Sequence, residues 1–188
     1  SAKKQVHTMH ARRHEFTHAL KKDLPELEIF GRGVRFIEKK YQALDPYRFH
    51  LVIENHYGPH VWSEKLADAF LGYTVPIYYG CSNVLDYFPK ESLVQIDIND
   101  YAGTLQKIAK LINTPGEYER RLKAVIGARR RVTETYNLAS MLSHFIESQS
   151  RQTTNKQQIF LRSRKNIRSR NPAELARYLS WHIRKNLR

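Results

Sequence analysis

Two short runs hold side chains suited to gripping an anion. Glu54 and Asn55 close an apolar run, and Ser63, Glu64 and Lys65 open the next periodic segment after a short loop. Ser63 is a helix-capping residue, and Glu64 in the first turn complements the helix dipole. A helix start presents free N–H groups and a partial positive charge, so a phosphate is its natural guest. Lys65 adds a full charge at the same place. The plain structural alternative is an N-capped surface helix with no ligand, and spacing alone does not choose between the two.

The elements that position these residues follow from the flanking pattern. Tyr47 to Ile53 is aromatic and β-branched, as a buried strand should be, and polar Glu54 and Asn55 are expected to end it. Gly58 and Pro59 mark a loop. The helix after Ser63 carries Leu66, Ala67, Phe70 and Leu71 on one side and stops near Gly72, and Thr74 to Tyr79 forms a second apolar strand before Gly80. Strand, helix and strand with short loops make a βαβ unit, whose strands are parallel. Ligands of such sheets sit beyond the carboxyl ends of the strands, which is where both runs fall.

Around this unit the pattern predicts a helix over Thr8 to Lys22 and a short strand over Leu24 to Phe30. Gly31 and Gly33 turn the chain into a helix from Arg35 to Gln42. Leu93 to Ile98 alternates as a strand. Asp100 to Asn113 is helical, with Leu105, Ile108, Ala109 and Ile112 toward the core. Pro115 to Ile146 is largely helical, with Tyr118, Leu122, Val125, Tyr136, Leu142 and Phe145 at packing positions and Arg129, Arg130 and Arg131 in solvent.

The chain has 188 residues, of which 41% are hydrophobic, enough for one domain with a sizeable core and an appendage. Its single cysteine, Cys81, forms no internal disulfide and suits a reducing, cytoplasmic setting. No apolar run is long enough to span a bilayer. The net charge of +14 is unevenly placed: residues after Ser150 hold eleven Lys/Arg against one acid, Glu174. The mildly basic body argues against a domain-wide nucleic-acid surface. The domains expected are therefore 1–148 and a basic helical tail, 149–188. In the tail Pro172 opens a helix striped with Leu175, Tyr178, Leu179, Ile183 and Leu187. Trp181 and the cations Arg177, Arg184, Lys185 and Arg188 suit it to an anionic membrane surface, or to packing against protein.

The ordered motifs from about Met9 to about Asn113 resemble the donor-binding region of the family 10 glycosyltransferases, the α-1,3-fucosyltransferases. Glu54-Asn55, Ser63-Glu64-Lys65 and Val75-Pro76-Ile77 match that family's Glu-Asn, Thr-Glu-Lys and Val-Pro-Ile runs, and Arg13, Phe16 and Leu20 fit its Arg-x-x-Phe-x-x-x-Leu helix. The resemblance implies an α/β fold: a Rossmann-like parallel sheet flanked by helices, the C-terminal half of a GT-B glycosyltransferase. It implies transfer of a sugar, fucose from GDP-fucose, to a glycan acceptor with inversion and no obligatory metal. Arg13 and Lys65 would be the catalytic cations on the diphosphate, with Arg12 the rival if the helix register shifts by one. Asn55, Glu64, Glu54, Ser63, Val61 and Trp62 would be the donor-binding set, Glu64 on the ribose. The catalytic base is expected in an upstream N-terminal acceptor domain that this chain lacks.

The sequence departs from the family pattern at two points. His56 stands where the family has Ser, and Val61 where it has an aromatic residue that helps hold the nucleoside; the nearest aromatic is Trp62, one place later. These changes bear on base preference rather than on the diphosphate. His10, His14 and His18 have the spacing of a helical metal face but lack an accompanying acid or cysteine set. A basic nucleic-acid-binding module and a non-catalytic transferase-like scaffold remain as the other function classes.

Overall fold

The structure, a computed structural model, describes residues 9–31, 33–149 and 163–186. It forms two compact units, Ser1–Phe145 and Ile146–Arg188. Thr8, Leu187 and Arg188 lie outside the described residues, as do the side chains of Arg184 and Lys185.

In the first unit, helix α1 (Met9–Asp23) precedes strand β1 (Phe49–Gly58). Helix α2 (Glu64–Leu71), strand β2 (Val75–Cys81) and a short strand β3 (Val94–Gln95) follow. Helices α3 (Tyr101–Asn113) and α4 (Glu117–Arg130) come next, then a π-helical turn (Arg131–Thr135) and α5 (Leu138–Gln149), of which residues 138–145 belong to this unit. The sheet runs β1-β2-β3 and is parallel throughout, with Ile53 beside Tyr79 and Tyr78 beside Gln95.

Alternation along the strands builds two cores. On one face Val52 and Tyr78 meet Leu66 and Phe70 of α2 and Val125 and Ala128 of α4. On the other, Ile53, Ile77 and Tyr79 meet Phe16 and Leu20 of α1 and Ile108 and Leu111 of α3. A parallel sheet covered on both faces needs apolar residues in both registers, and all of β2 is buried for that reason. Asp100 caps α3 by accepting from Gly103 N–H at 3.0 Å.

Three predicted elements differ. No strand forms over 24–30, because the segment's side chains pair with the following loop rather than with β1: Glu28 accepts from Arg35 and from the Tyr47 hydroxyl, and Phe30 packs edge-on against Tyr47. The helix expected from Arg35 to Gln42 is only a 3₁₀ turn, Lys40–Ala43. There the Gln42 side chain takes the Glu38 and Lys39 N–H groups at 3.0 Å each, which competes with continuous helical bonding. β3 is shorter than Leu93–Ile98, since Asp97 turns back to accept from Asn99 N–H. Leu142 is exposed rather than packed, Phe145 is exposed as well, and Arg129 is not a solvated arginine: its guanidinium lies 4.8 Å from the Tyr73 ring centroid.

The second unit contains α6 (Arg164–Arg170), capped by Ser163, and α7 (Pro172–Asn186). On α7, Leu175, Tyr178, Leu179, Trp181 and Ile183 are all exposed. Among the described residues no helix is long and apolar enough to cross a membrane.

Candidate functional site

The site is built where β1 outruns its partner. The ladder is regular to Ile53–Tyr79 and resumes at Gly58–Cys81, so β1 places four residues, 54–57, against Gly80 alone. The strand therefore continues past Glu54 and Asn55 instead of ending there, and its alternation carries their side chains to opposite faces, Glu54 after Val52 and Asn55 after Ile53.

Glu54 turns toward α2 and is buried, its side chain 4% exposed. Its carboxylate accepts from Ser63 N–H at 2.9 Å, and Ser63 Oγ lies 2.8 and 2.7 Å from its two oxygens. Lys65 Nζ completes the cluster, 3.2 Å from Glu54 Oε2 and 3.0 Å from Ser63 Oγ. Glu54 thus fixes the start of α2 and aims Lys65. A buried carboxylate is tolerable only with this many donors. Glu64 is different: its side chain is 66% exposed and lies 3.3 Å from Lys65 Nζ. Its own amide N–H and then Lys65 hold its carboxyl below the usual range, so it is an ionised acceptor.

Asn55 turns the other way, and its Oδ1 accepts from Arg13 Nη1 of α1 at 2.9 Å. Arg12, the rival, donates instead to Asn99 Oδ1. Arg13, Glu64 and Lys65 all line one cavity of about 650 Å³ bounded by α1, β1 and α2. Its deeper walls are apolar, formed by Leu20, Leu24, Ile53 and Ile77 among others. A pocket of this size with a few convergent polar groups is typical of a small-molecule site.

Val61 is exposed in the loop before Ser63. Trp62 points away into an aromatic cluster, its ring 5.1 Å from Phe88 and 5.5 Å from Tyr136, where it anchors the loop. His60 adopts a left-handed backbone with φ 59°, held by its N–H donating to Asn83 Oδ1 at 2.7 Å. Two residues escape sequence reasoning. Gly80 leaves the space that Glu54 fills, for a Cβ there would lie 2.4 Å from Glu54 Cγ. Tyr57 stacks on Tyr79 at 5.0 Å with 25° between the rings. Its signal in the sequence is an aromatic residue inside the polar loop that follows a strand. His14 and His18 pack against each other, and no group of three or more metal-binding side chains occurs among the described residues.

A parallel sheet, a capped helix start and two cations at one rim match a known arrangement. The family model described as glycosyltransferase family 10 (fucosyltransferase) C-terminal matches residues 3–124. The chain belongs to this family. Among curated relatives, the family 10 chain is 35% identical over 60 residues to the alpha-(1,3)-fucosyltransferase FucT of Helicobacter pylori, covering 32% of this chain and 13% of that protein. It is 35% identical over 75 residues to an alpha-(1,4)-fucosyltransferase of Arabidopsis thaliana, covering 40% of this chain and 18% of the relative. In fold it resembles a crystallised α1,3-fucosyltransferase with GDP-fucose, with TM-score 0.52, 21% identity, and coverage of 72% of this chain and 47% of the other. A structure of α1,3-fucosyltransferase with GDP gives TM-score 0.50 at 22% identity, covering 67% and 44%. The matched stretches therefore span less than a fifth of the curated relatives and under half of the solved chains. The fold is the Rossmann-like half of a GT-B glycosyltransferase.

Proposed function

We propose that this family 10 chain is the donor-binding half of a glycosyltransferase that transfers fucose from GDP-fucose to a glycan acceptor with inversion. The observation that carries the reading is that Arg13, from α1, and Lys65, from the start of α2, line one cavity along the edge of β1, each anchored to a residue past its regular ladder, Arg13 to Asn55 and Lys65 to Glu54. Breaking the anomeric bond places negative charge on the departing nucleoside diphosphate. Cations already held in position stabilise that charge without reorganising. Asn55 orients Arg13, and Glu54 with Ser63 orients Lys65. Of the oxygens around Lys65 Nζ, the exposed Glu64 carboxylate is exchanged most cheaply for a phosphate. Once released, it can accept from ribose hydroxyls.

The base that deprotonates the acceptor hydroxyl belongs, in this reading, to an acceptor domain elsewhere in the whole protein. The chain on its own then binds donor without rapid turnover. Titration calorimetry with GDP, UDP and ADP tests this: the expected result is measurable heat with a preference for GDP, and heat with none of the three would overturn the assignment.

The same reading places α7 on the cytoplasmic face of an anionic membrane. Exposed Leu175, Leu179, Trp181 and Ile183 supply the apolar contact, and the strongly basic tail supplies the attraction. The chain is expected to co-sediment with vesicles containing phosphatidylserine and not with neutral ones, the binding weakening as salt rises. Equal recovery from both vesicle types would exclude it.

A further inference from the structure

Neither residue that the resemblance offers for the nucleoside is an aromatic surface on the rim. Val61 has no ring, and the Trp62 ring is committed to Phe88 and Tyr136. Tyr57 has what both lack. It lies on the slack stretch of β1 and is 54% exposed, yet one ring face is fixed by stacking on Tyr79, itself only 7% exposed. An exposed tyrosine usually loses rotamer freedom when it binds a ligand. Here Tyr79 has already imposed the orientation, and the second face is left to solvent.

The position also suits a nucleotide. Tyr79 belongs to the core shared with Phe16 and Leu20 of α1, so Tyr57 lies over the face of the sheet from which Arg13 reaches Asn55. Asn55 and Tyr57 are two residues apart, so at most about 7 Å separates them along the chain. That separation leaves room for one ribose between a diphosphate at Arg13 and a base on the ring.

We infer that Tyr57 is the stacking platform for the nucleobase of the donor, a binding position that takes over from the aromatic residue missing at Val61. This rests on the donor-binding reading above. Stacking uses the face of a base and not its edge, so the platform accepts any nucleobase, and discrimination among them must come from neighbours such as His56.

The test compares GDP with inorganic pyrophosphate by titration calorimetry on the wild-type chain, Tyr57→Phe and Tyr57→Ala. Tyr57→Ala is expected to weaken GDP about tenfold and to leave pyrophosphate unchanged. Tyr57→Phe, which keeps the ring, should hold GDP within about twofold of wild type on the same grounds. Unchanged GDP affinity in Tyr57→Ala overturns the platform while leaving the diphosphate site standing. Equal losses of GDP and pyrophosphate also overturn it, because they would mark a structural role for the ring. If the wild-type chain binds neither ligand, the donor reading itself fails and takes the platform with it.

Discussion

Replacing Lys65 with alanine is expected to weaken GDP and inorganic pyrophosphate alike, by about ten- to a hundredfold, as loss of a charge-assisted contact should. The loss has a second component. Lys65 is 29% exposed on its side chain and is the cation beside Glu54, whose carboxylate is nearly fully buried. Without it Glu54 keeps only the Ser63 N–H and hydroxyl, and the variant should melt at lower temperature because a buried charge has lost its counter-ion. The double variant Lys65→Ala with Glu54→Gln separates the two effects. It removes the stranded charge, so thermal stability should rise above that of Lys65→Ala while pyrophosphate affinity stays low. Wild-type affinity in either variant would place the diphosphate somewhere other than the start of α2.

The largest effect on folding is expected from one added methyl group. In Gly80→Ala the new Cβ would stand 2.4 Å from Glu54 Cγ, 2.7 Å from Glu54 Cβ and 2.7 Å from the Tyr78 hydroxyl. The Tyr78 hydroxyl accepts from Cys81 N–H at 2.8 Å, and β2 is buried along its length, so neither neighbour has solvent to retreat into. Overpacking of this kind costs about 2–3 kcal/mol, or a drop of roughly 5–10 °C in Tm for a chain of this size. Since Glu54 must move, Ser63 and Lys65 move with it, and pyrophosphate binding should fall too. A melting temperature within about 2 °C of wild type would mean that Glu54 does not occupy the space beside Gly80.

The parts of the fold that could be read from the sequence are those where pattern and turn chemistry agree. The apolar runs of β1 and β2, the Ser63 cap and the α2 stripe each point to one structure, and the βαβ unit follows. The stretch between α1 and β1 was less legible. Leu27, Ile29 and Phe30 look like a strand, but strand formation needs a partner, and Glu28 is drawn instead to Arg35 and Tyr47. Gln42 likewise spends its amide on two N–H groups that a helix would have used. At the site, residue types pointed to the start of α2 as a place for an anion, but not to Glu54 as a buried support while Glu64, ten places on, is open to solvent. That division comes from tertiary contacts, Ser63 and Lys65 closing over Glu54, and nothing in a period-two pattern announces the four residues that face one beyond it. Trp62 was misleading for a related reason: a tryptophan beside a binding loop suits a ligand and a core equally well, and Phe88 and Tyr136 claim it.

The uneven ladder closes again beyond the site. Gly58 regains register with Cys81, and Ser82 N–H donates to Gly58 O at 3.1 Å. The four intervening residues are thus stitched down at both ends, like a seam with one loose stitch. His56 and Tyr57, at the loose part, lie outside the paired positions of the ladder, so exchanging them removes no strand-to-strand pairing. On the donor-binding reading, base preference is retuned at these two positions while the hold on the phosphates is inherited intact.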